Sequence, residues 1–498
     1  MSTHAIDTGN YLPRRRMLPH QFTVVDNSWM LPHQGLHLEM GLGKTQCIID
    51  SLALQHANDL LTHCLILAPK TVCSNWIAEF EEVWPNTYTH VDILRWDGLN
   101  TKTSMANWKR LLRDDDGVLR VLVMNTEALS SKKGRDRAYE FLRTVAGPAG
   151  MVIDESTTIK NHRAARTKAA VALSRYTSWR RTLSGLPMPN SPLDIFAPTA
   201  FLEGSGQMAC PKLLAQTNFY SFKSRYCTEE TIFMGSRSFK KVTGFKSLGH
   251  LRDKLDQFCI RLTKDECLNL PSKTYVRRNV ELTPEQKAAY RDFITDARTI
   301  LDENKGITSS AAIALVRMLR TQQIVAGHLT DDAGGIHYLP SNRMNALFEV
   351  LEETSGKVVI WANFIPTIVS IQDALTKQYG GETVRAIYGD IGDAQRDEAL
   401  EAFNDPASRV RFMLGNPAVA GFGLNMTTAS TAVYYSHDFR LDTRLQSEDR
   451  IHRIGQDDPC LYVDLVTPDT IEEDVLNALR EKKKLSAQVL GDILRAWI

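Results

Sequence analysis

The chain has 498 residues, 43% of them hydrophobic and 23% charged, a mix that excludes wholesale disorder and is too long for one ordinary core; roughly two to four domains are expected. Its 59 Lys and Arg nearly cancel its 58 Asp and Glu, which excludes a globally basic protein, so any nucleic acid must meet a local basic groove. The eight cysteines form no CxxC pair and no run of eighteen apolar residues occurs, so zinc ribbons, disulfide scaffolds and membrane spans are not expected and a reducing, cytoplasmic setting is.

In chain order, the pentapeptide MLPHQ comes first and comes twice, at Met17–Gln21 and Met30–Gln34. Between the copies, FTVVDNSWM has room for a short helix that must stop before Pro32. After the second copy there is no such room, because Gly35 and the strand LHLEM begin at once, and that copy reads as a connecting loop. His33 and His37 stand four apart, but with Gly35 between them and no Glu beside His33 they do not make a zinc-protease pair.

MGLGKT, Met40 to Thr45, follows this strand and opens the helical run CIIDSLALQ. Glycines let backbone amides wrap a phosphate at a helix N-terminus, Lys44 can neutralise the outer phosphates, and Thr45 can place a hydroxyl on Mg2+. The spacing departs from GxxxxGK[ST] at Leu38, and a plain glycine turn capping a helix has the same local look. HCLILA (63–68), VLRVLVM (118–124), GMVID (150–154) and RRTLSG (180–185) read as buried strands between amphipathic segments, the pattern of a parallel sheet covered by helices. Asp154 and Glu155 end the third of these, as a metal-organising carboxylate and a water-polarising neighbour would. Loop and acidic pair together point to an NTPase.

Residues 205–340 lose the alternation and are rich in helix formers, as in LTPEQKAAYRDFITDARTILDENK, so helical insertions and a linker are expected there. A second series follows: KVVIWA (357–362), TVRAIYG (383–389), VRFMLG (410–415), TAVYYS (431–436) and LYVDLV (461–466). The economical reading is an α/β chain with an N-terminal lobe at 1–204, the helical region at 205–340 and a C-terminal lobe at 341–498. In QSEDRIHRIGQ (446–456), Arg450 and Arg453 are three apart on a predicted helix and can bring positive charge to a γ-phosphate from one side.

In this order the segments resemble the Swi/Snf-type ATPases of helicase superfamily two. MGLGKT resembles motif I, LAPKTVCSNWIAEF motif Ia, MNTEAL motif Ib, IDEST motif II and LSGLPMPN motif III, usually LTGTPxxN. RLTKDECLNLPSK resembles the family's bridge ending in a Leu-Pro pair, KVVIWANF motif IV, GFGLNMTTAS motif V, and QSEDRIHRIGQ motif VI with the HRIGQ that marks this branch. The compact size resembles bacterial or phage members. Thr157 departs from the histidine that commonly ends motif II, Leu186 and Pro189 from polar residues of motif III, and Phe439 from a tryptophan before motif VI. The departures at Thr157, Leu186 and Pro189 bear on coupling of hydrolysis to motion rather than on hydrolysis, and that at Phe439 is a milder change.

The resemblance implies two RecA-like parallel-sheet lobes with an ATP cleft between them, and ATP with Mg2+ as ligands. Met40, Gly41, Leu42, Gly43, Lys44 and Thr45 would hold the phosphates, Thr45 and Asp154 the metal, and Glu155 the attacking water, with Gly423, Gln446, Arg450 and Arg453 completing the site. A glutamine ahead of motif I reads the adenine edge in this family, with a helix of about three turns before the strand. Only Gln21 leaves space for it. Lys70, Thr126, Asn363 and Asn425 match phosphate-contacting positions, although Thr and Asn near strand ends also cap turns. Trp76 and Trp361 read as packing. Arg225, Tyr226 and the lysines of REKKKLSAQVL read as solvated faces as readily as DNA contacts. The implied function is an ATP-dependent double-stranded DNA translocase that does not have to separate strands, acting as a monomer with a protein partner setting its target. The alternatives are a strand-separating DNA or RNA helicase, a fork- or branch-remodelling annealing enzyme, and a scaffold with weak ATP use; intact Lys44, Asp154, Glu155 and Arg453 count against the last.

Overall fold

The computed structural model describes residues 7–492 except 86–89, 99–100, 114–116, 208–211, 215, 217, 235–236, 304–308, 332 and 421–423. The chain divides into two compact units, Met1–Glu229 with Val242–Asn269 and Leu485–Ile493, and Glu230–Lys241 with Leu270–Lys484 and Leu494–Ile498.

The first unit holds a parallel sheet of seven strands: β1 (His33–Leu38), β2 (His63–Ala68), β3 (His90–Trp96), β4 (Val118–Asn125), β5 (Ala149–Ile153), β6 (Trp179–Leu183) and, after a two-stranded hairpin of β7 (Cys227–Met234) and β8 (Arg237–Phe245), β9 (Cys259–Leu262). Their order is β3-β4-β2-β5-β6-β1-β9. The central strands are near-continuous apolar runs because both faces are covered. Side chains alternate faces along each strand, so Leu65, Leu67, Met151 and Ile153 join one core while Cys64, Ile66 and Val152 join the other. Gly35 sits in β1 where a Cβ would lie 2.7 Å from Cys259 Sγ, which is how a central strand can be squeezed between two neighbours.

The second unit repeats the construction with β10 (Lys273–Asn279), β13 (Lys357–Trp361), β14 (Val384–Ile387), β15 (Phe412–Gly415), β16 (Ala429–Tyr434) and β17 (Cys460–Val466), in the order β10-β17-β16-β13-β15-β14; the short pair β11 (His328–Thr330) and β12 (Ile336–Tyr338) is separate and antiparallel. Val358 and Ile360 face one core, Val359 and Trp361 the other. Among the described residues no helix is long and apolar enough to cross a membrane.

All the expected strands form. The middle region is not only helical: besides helices such as Phe219–Tyr226 and Leu248–Leu255 it supplies β9 to the edge of one sheet and β10 to the edge of the other. These edges carry interleaved charges, as in KTYVRRN, so their apolar period is too weak to read.

Candidate nucleotide site

The first unit's loop is set by glycine. After β1 the chain turns through Gly41 (φ 82°) and Gly43 (φ 77°), both left-handed, into helix α2, here Lys44–Ala57. A Cβ on Gly43 would also lie 1.9 Å from Gln21 Nε2, so a larger residue there would push the Gln21 side chain aside. No side chain caps the start of α2, which leaves its first amide N–H groups available to an anion. Buried Leu42 anchors the loop, and Gly185, after β6, packs so closely that its Cβ would lie 2.9 Å from Met40 Cγ. Lys44 Nζ donates to Leu38 O (2.9 Å) and Glu39 O (3.4 Å). Thr45 is half-buried in the first turn of α2.

In the sheet, β6 separates β1 from β5, so the loop and Asp154 leave strands two positions apart on the same edge. The backbone of Asp154 prolongs the ladder by donating to Leu67 O at 2.7 Å. Its carboxylate is buried; Oδ1 accepts the N–H of Glu155 and Oδ2 the indole N–H of Trp76, each at 2.9 Å. Burial raises the Asp154 pKa above the ordinary aspartate value, against the pull of the Trp76 bond, the Lys44 charge and the Glu155 amide. An undercompensated buried carboxylate fits a divalent cation. Among the described residues no three His, Cys, Asp or Glu gather to hold a metal, so such an ion would rest on Asp154, Thr45 and phosphate oxygens, the way Mg2+ is commonly bound. Glu155 itself is left-handed (φ 46°), a costly conformation for a non-glycine residue and one that collects at functional sites.

Gln21 lies inside a helix rather than ahead of one. Helix α1 runs Pro19–Ser28, started by Pro19 at its first turn and by Gln21, whose Oε1 accepts the Leu18 N–H at 2.8 Å. Its Nε2 donates to Leu42 O (3.3 Å), where His20 Nε2 also donates (3.0 Å). The second MLPHQ is not all loop either: Arg180 N–H donates to Pro32 O at 2.8 Å and starts the β1 ladder, so His33 and buried Gln34 are already strand. The first copy touches the glycine loop and the second belongs to the sheet.

In the second unit the expected helix ends early. It covers Leu441–Glu448, and Arg450 and Arg453 follow it in a turn. The reason is packing: Glu448 is wholly buried, bonded by Arg444 Nε (2.9 Å) and Tyr275 OH (2.8 Å), which stops the last turn of helix in place. Buried Ile451 and the Gln456 amide, donating to Ala429 O (2.8 Å) and Ile451 O (3.0 Å), then draw the chain inward. The two arginines still converge, both donating to Leu424 O, at 3.2 and 3.4 Å. Gln446 is half-buried on the helix, and Gly423 lies outside the described residues.

Of the positions matched to DNA contacts, Lys70 and Asn425 are exposed and Asn363 is half-buried. Thr126 is 1% exposed and its hydroxyl has no partner among the described residues, because Asn125, not Thr126, caps the turn after β4. Its side chain does not reach the surface. Lys70 and Thr126 follow the adjacent strands β2 and β4, on the carboxyl edge where parallel sheets take ligands. Trp361 is core, as read. Trp76 is core and also a hydrogen-bond donor, which no spacing rule signals because its partner is 78 residues away. Arg261 of β9 was likewise unread: it donates to His37 O (2.9 Å) and Gly185 O (3.0 Å) and pairs with Asp492 (2.7 Å), tying the ends of β1 and β6 together.

Two parallel-sheet lobes, the first with a glycine loop between its β1 strand and a helix, define a helicase-type α/β protein. Residues 31–328 match the family described as SNF2-related domain and residues 342–455 that described as Helicase conserved C-terminal domain. The chain belongs to the SNF2-related family. It is 26% identical over 473 residues to Protein CHROMATIN REMODELING 4 of Arabidopsis thaliana, covering 90% of this chain and 20% of that protein. It is 26% identical over 464 residues to an uncharacterized ATP-dependent helicase of Mycoplasma genitalium, covering 91% and 40%. The chain thus spans less than half the length of these relatives. A solved Sulfolobus solfataricus SWI2/SNF2 ATPase core in complex with dsDNA is similar at 24% identity and TM-score 0.42 over 98% of this chain and 96% of that one, a superposition too loose to bear on ligands.

Proposed function

We propose that this chain is a DNA-dependent ATPase that uses ATP and Mg2+ to move along double-stranded DNA without having to separate its strands. The observation that carries the reading is the left-handed glycine loop at the uncapped start of α2, with one strand between its β1 and the β5 that ends at a buried, undercompensated Asp154, in a chain of the SNF2-related family. The loop from Met40 to Gly43 and the first turn of α2 bind the phosphates, and Lys44 exchanges its two carbonyl bonds for phosphate oxygens. Thr45 and Asp154 hold the metal, which neutralises phosphate charge when bound. Glu155 orients the attacking water. To Arg450 and Arg453 we assign neutralisation of the charge that develops on the transferred phosphoryl group, and to Gly423 and Gln446 a part in binding the nucleotide.

Gln21 reads adenine once its bond to Leu42 O is given up. Lys70, Asn363 and Asn425 contact the phosphate backbone, which suits movement over any sequence; Thr126 contributes its backbone only. The names of the relatives, a chromatin remodelling protein and an ATP-dependent helicase, support a DNA-directed role. We assign the chain to the cytoplasm, with a protein partner choosing its target. The test is ATP turnover with duplex DNA, single-stranded DNA, RNA or no nucleic acid, followed by displacement of the third strand of a triplex. Duplex stimulation and triplex displacement are expected; stimulation by RNA alone, or full turnover in Lys44→Ala, would overturn the reading.

A further inference from the structure

We propose that Trp76 is a positioning residue for hydrolysis: its indole N–H fixes the carboxylate of Asp154 in the orientation that receives the metal. The inference rests on the ATPase reading above. Trp76 is fully buried on helix α3 (Cys73–Val83), in the core with Ile66, Val123 and Val152, and its ring lies 6.2 Å from that of Phe80. Packing there asks for a large aromatic ring but not for an N–H. A buried N–H is costly unless it is bonded. The bond it makes is to Asp154 Oδ2, at 2.9 Å.

The other oxygen, Oδ1, is held by the N–H of the next residue. Two donors from two different elements therefore pin the plane of the carboxylate. Each oxygen keeps acceptor capacity for a further ligand. Without the indole, only the bond to Glu155 N–H would restrain the group, and that amide belongs to a residue already in a strained left-handed conformation. Second donors of this kind orient metal ligands and tune their affinity.

The test is Trp76→Phe, read in two ways. In ATP turnover, kcat should fall about tenfold or more, the loss of one charge-assisted bond, and KM for ATP should rise in step with the loss of Mg2+-dependent affinity. In binding of a fluorescent ATP analogue, affinity without metal should match the parent protein, and the gain in affinity on adding Mg2+ should shrink about tenfold. In an Asp154→Asn background the same change should have no further effect on that gain. If Trp76→Phe lowers the melting temperature, benzothienylalanine at position 76, which keeps the shape of indole and replaces N–H by sulfur, takes its place. An unchanged Mg2+ gain, or an equal loss of affinity with and without Mg2+, would overturn the proposal. Absence of ATP turnover in the parent protein would instead sink the ATPase reading, and the binding measurement would still decide the role of Trp76.

Discussion

The two lobes share a parallel sheet buried on both faces, yet one group of charges in each is handled in opposite ways. In the first, Lys44 bonds only carbonyl oxygens and makes no salt bridge among the described residues, and Asp154 is held by N–H groups rather than by a cation. In the second, Arg444, Glu448 and Asp464, each no more than 4% exposed in its side chain, close on one another at 2.5 to 2.9 Å, with Arg444 also stacked 3.5 Å from the centroid of Tyr434. A charge left open in a fold is a place for a ligand; a charge closed by partners is a place where the fold itself is being held. On the proposed reading, the open charges of the first lobe are the ones that meet phosphate and metal, while the closed ones of the second hold the turn that carries Arg450 and Arg453.

Removing one charge from each lobe should separate these two uses most widely. Arg444→Ala leaves Glu448 and Asp464 buried without their partner, so it should cost about 3–5 kcal/mol of stability, measured by chemical denaturation. Lys44→Ala removes a half-buried ammonium that bonds two carbonyls; it should abolish turnover and change stability by less than about 0.5 kcal/mol. Comparable losses of stability in the two variants would erase the distinction.

Two buried carboxylates sharpen the contrast with pH. Burial in the first lobe raises Asp50 to about 6, against the Tyr11 hydroxyl, Gln46 and Arg15. Burial also pushes Glu448 up, but Arg444, Lys273 and Lys483 outweigh it and hold the group at about 2. A raised carboxyl makes the folded state bind the proton first, so the charge of Asp50 is a burden above pH 6 that disappears as pH falls toward 3.8. A depressed one stabilises above pH 4.5 and loses that contribution as pH falls to about 2. Asp50→Asn should therefore stabilise by up to about 3 kcal/mol at neutral pH and have little effect in acid, whereas Glu448→Gln should destabilise by about 3 kcal/mol until the pH drops below 4.5. Denaturation curves at pH 7.5 and pH 4 check both signs; the same sign at neutral pH for the two variants would break the comparison.

What could be read beforehand follows the same physics. Strands covered on both faces announce themselves, as HCLILA and VLRVLVM do, because every position is apolar. Strand β3, HVDILRW, sits at a sheet edge with Asp92 and Arg95 among its apolar residues, and its period fades into that of a loop. Glycines 41 and 43 and the acids 154 and 155 were legible because neighbouring residues define their chemistry. The bond from Trp76 to Asp154 was not, since it exists only once β5 and α3 are packed together. The arginine pair shows the intermediate case: the residues were identifiable, but the helix assigned to them gives way to a turn set by the distant contacts of Glu448 and Gln456.

The smallest effect tests the repeated pentapeptide, where one sequence meets two environments. Gln21→Ala removes the amide bond to Leu42 O and the acceptor of the Leu18 N–H at the start of α1, so ATP affinity should fall about tenfold, with about 1 kcal/mol lost from stability. Gln34→Ala alters a side chain within β1, whose backbone pairing with Arg181 persists, and affinity should stay within about twofold. Equal losses would reject the assignment of the first copy to the nucleotide. GTP separates the two things Gln21 can do: if its amide reads the adenine edge, Gln21→Ala narrows the preference for ATP over GTP, because the amide that donates and accepts against adenine is gone. If it only braces the loop through Leu42, both nucleotides weaken in the same proportion and the preference survives.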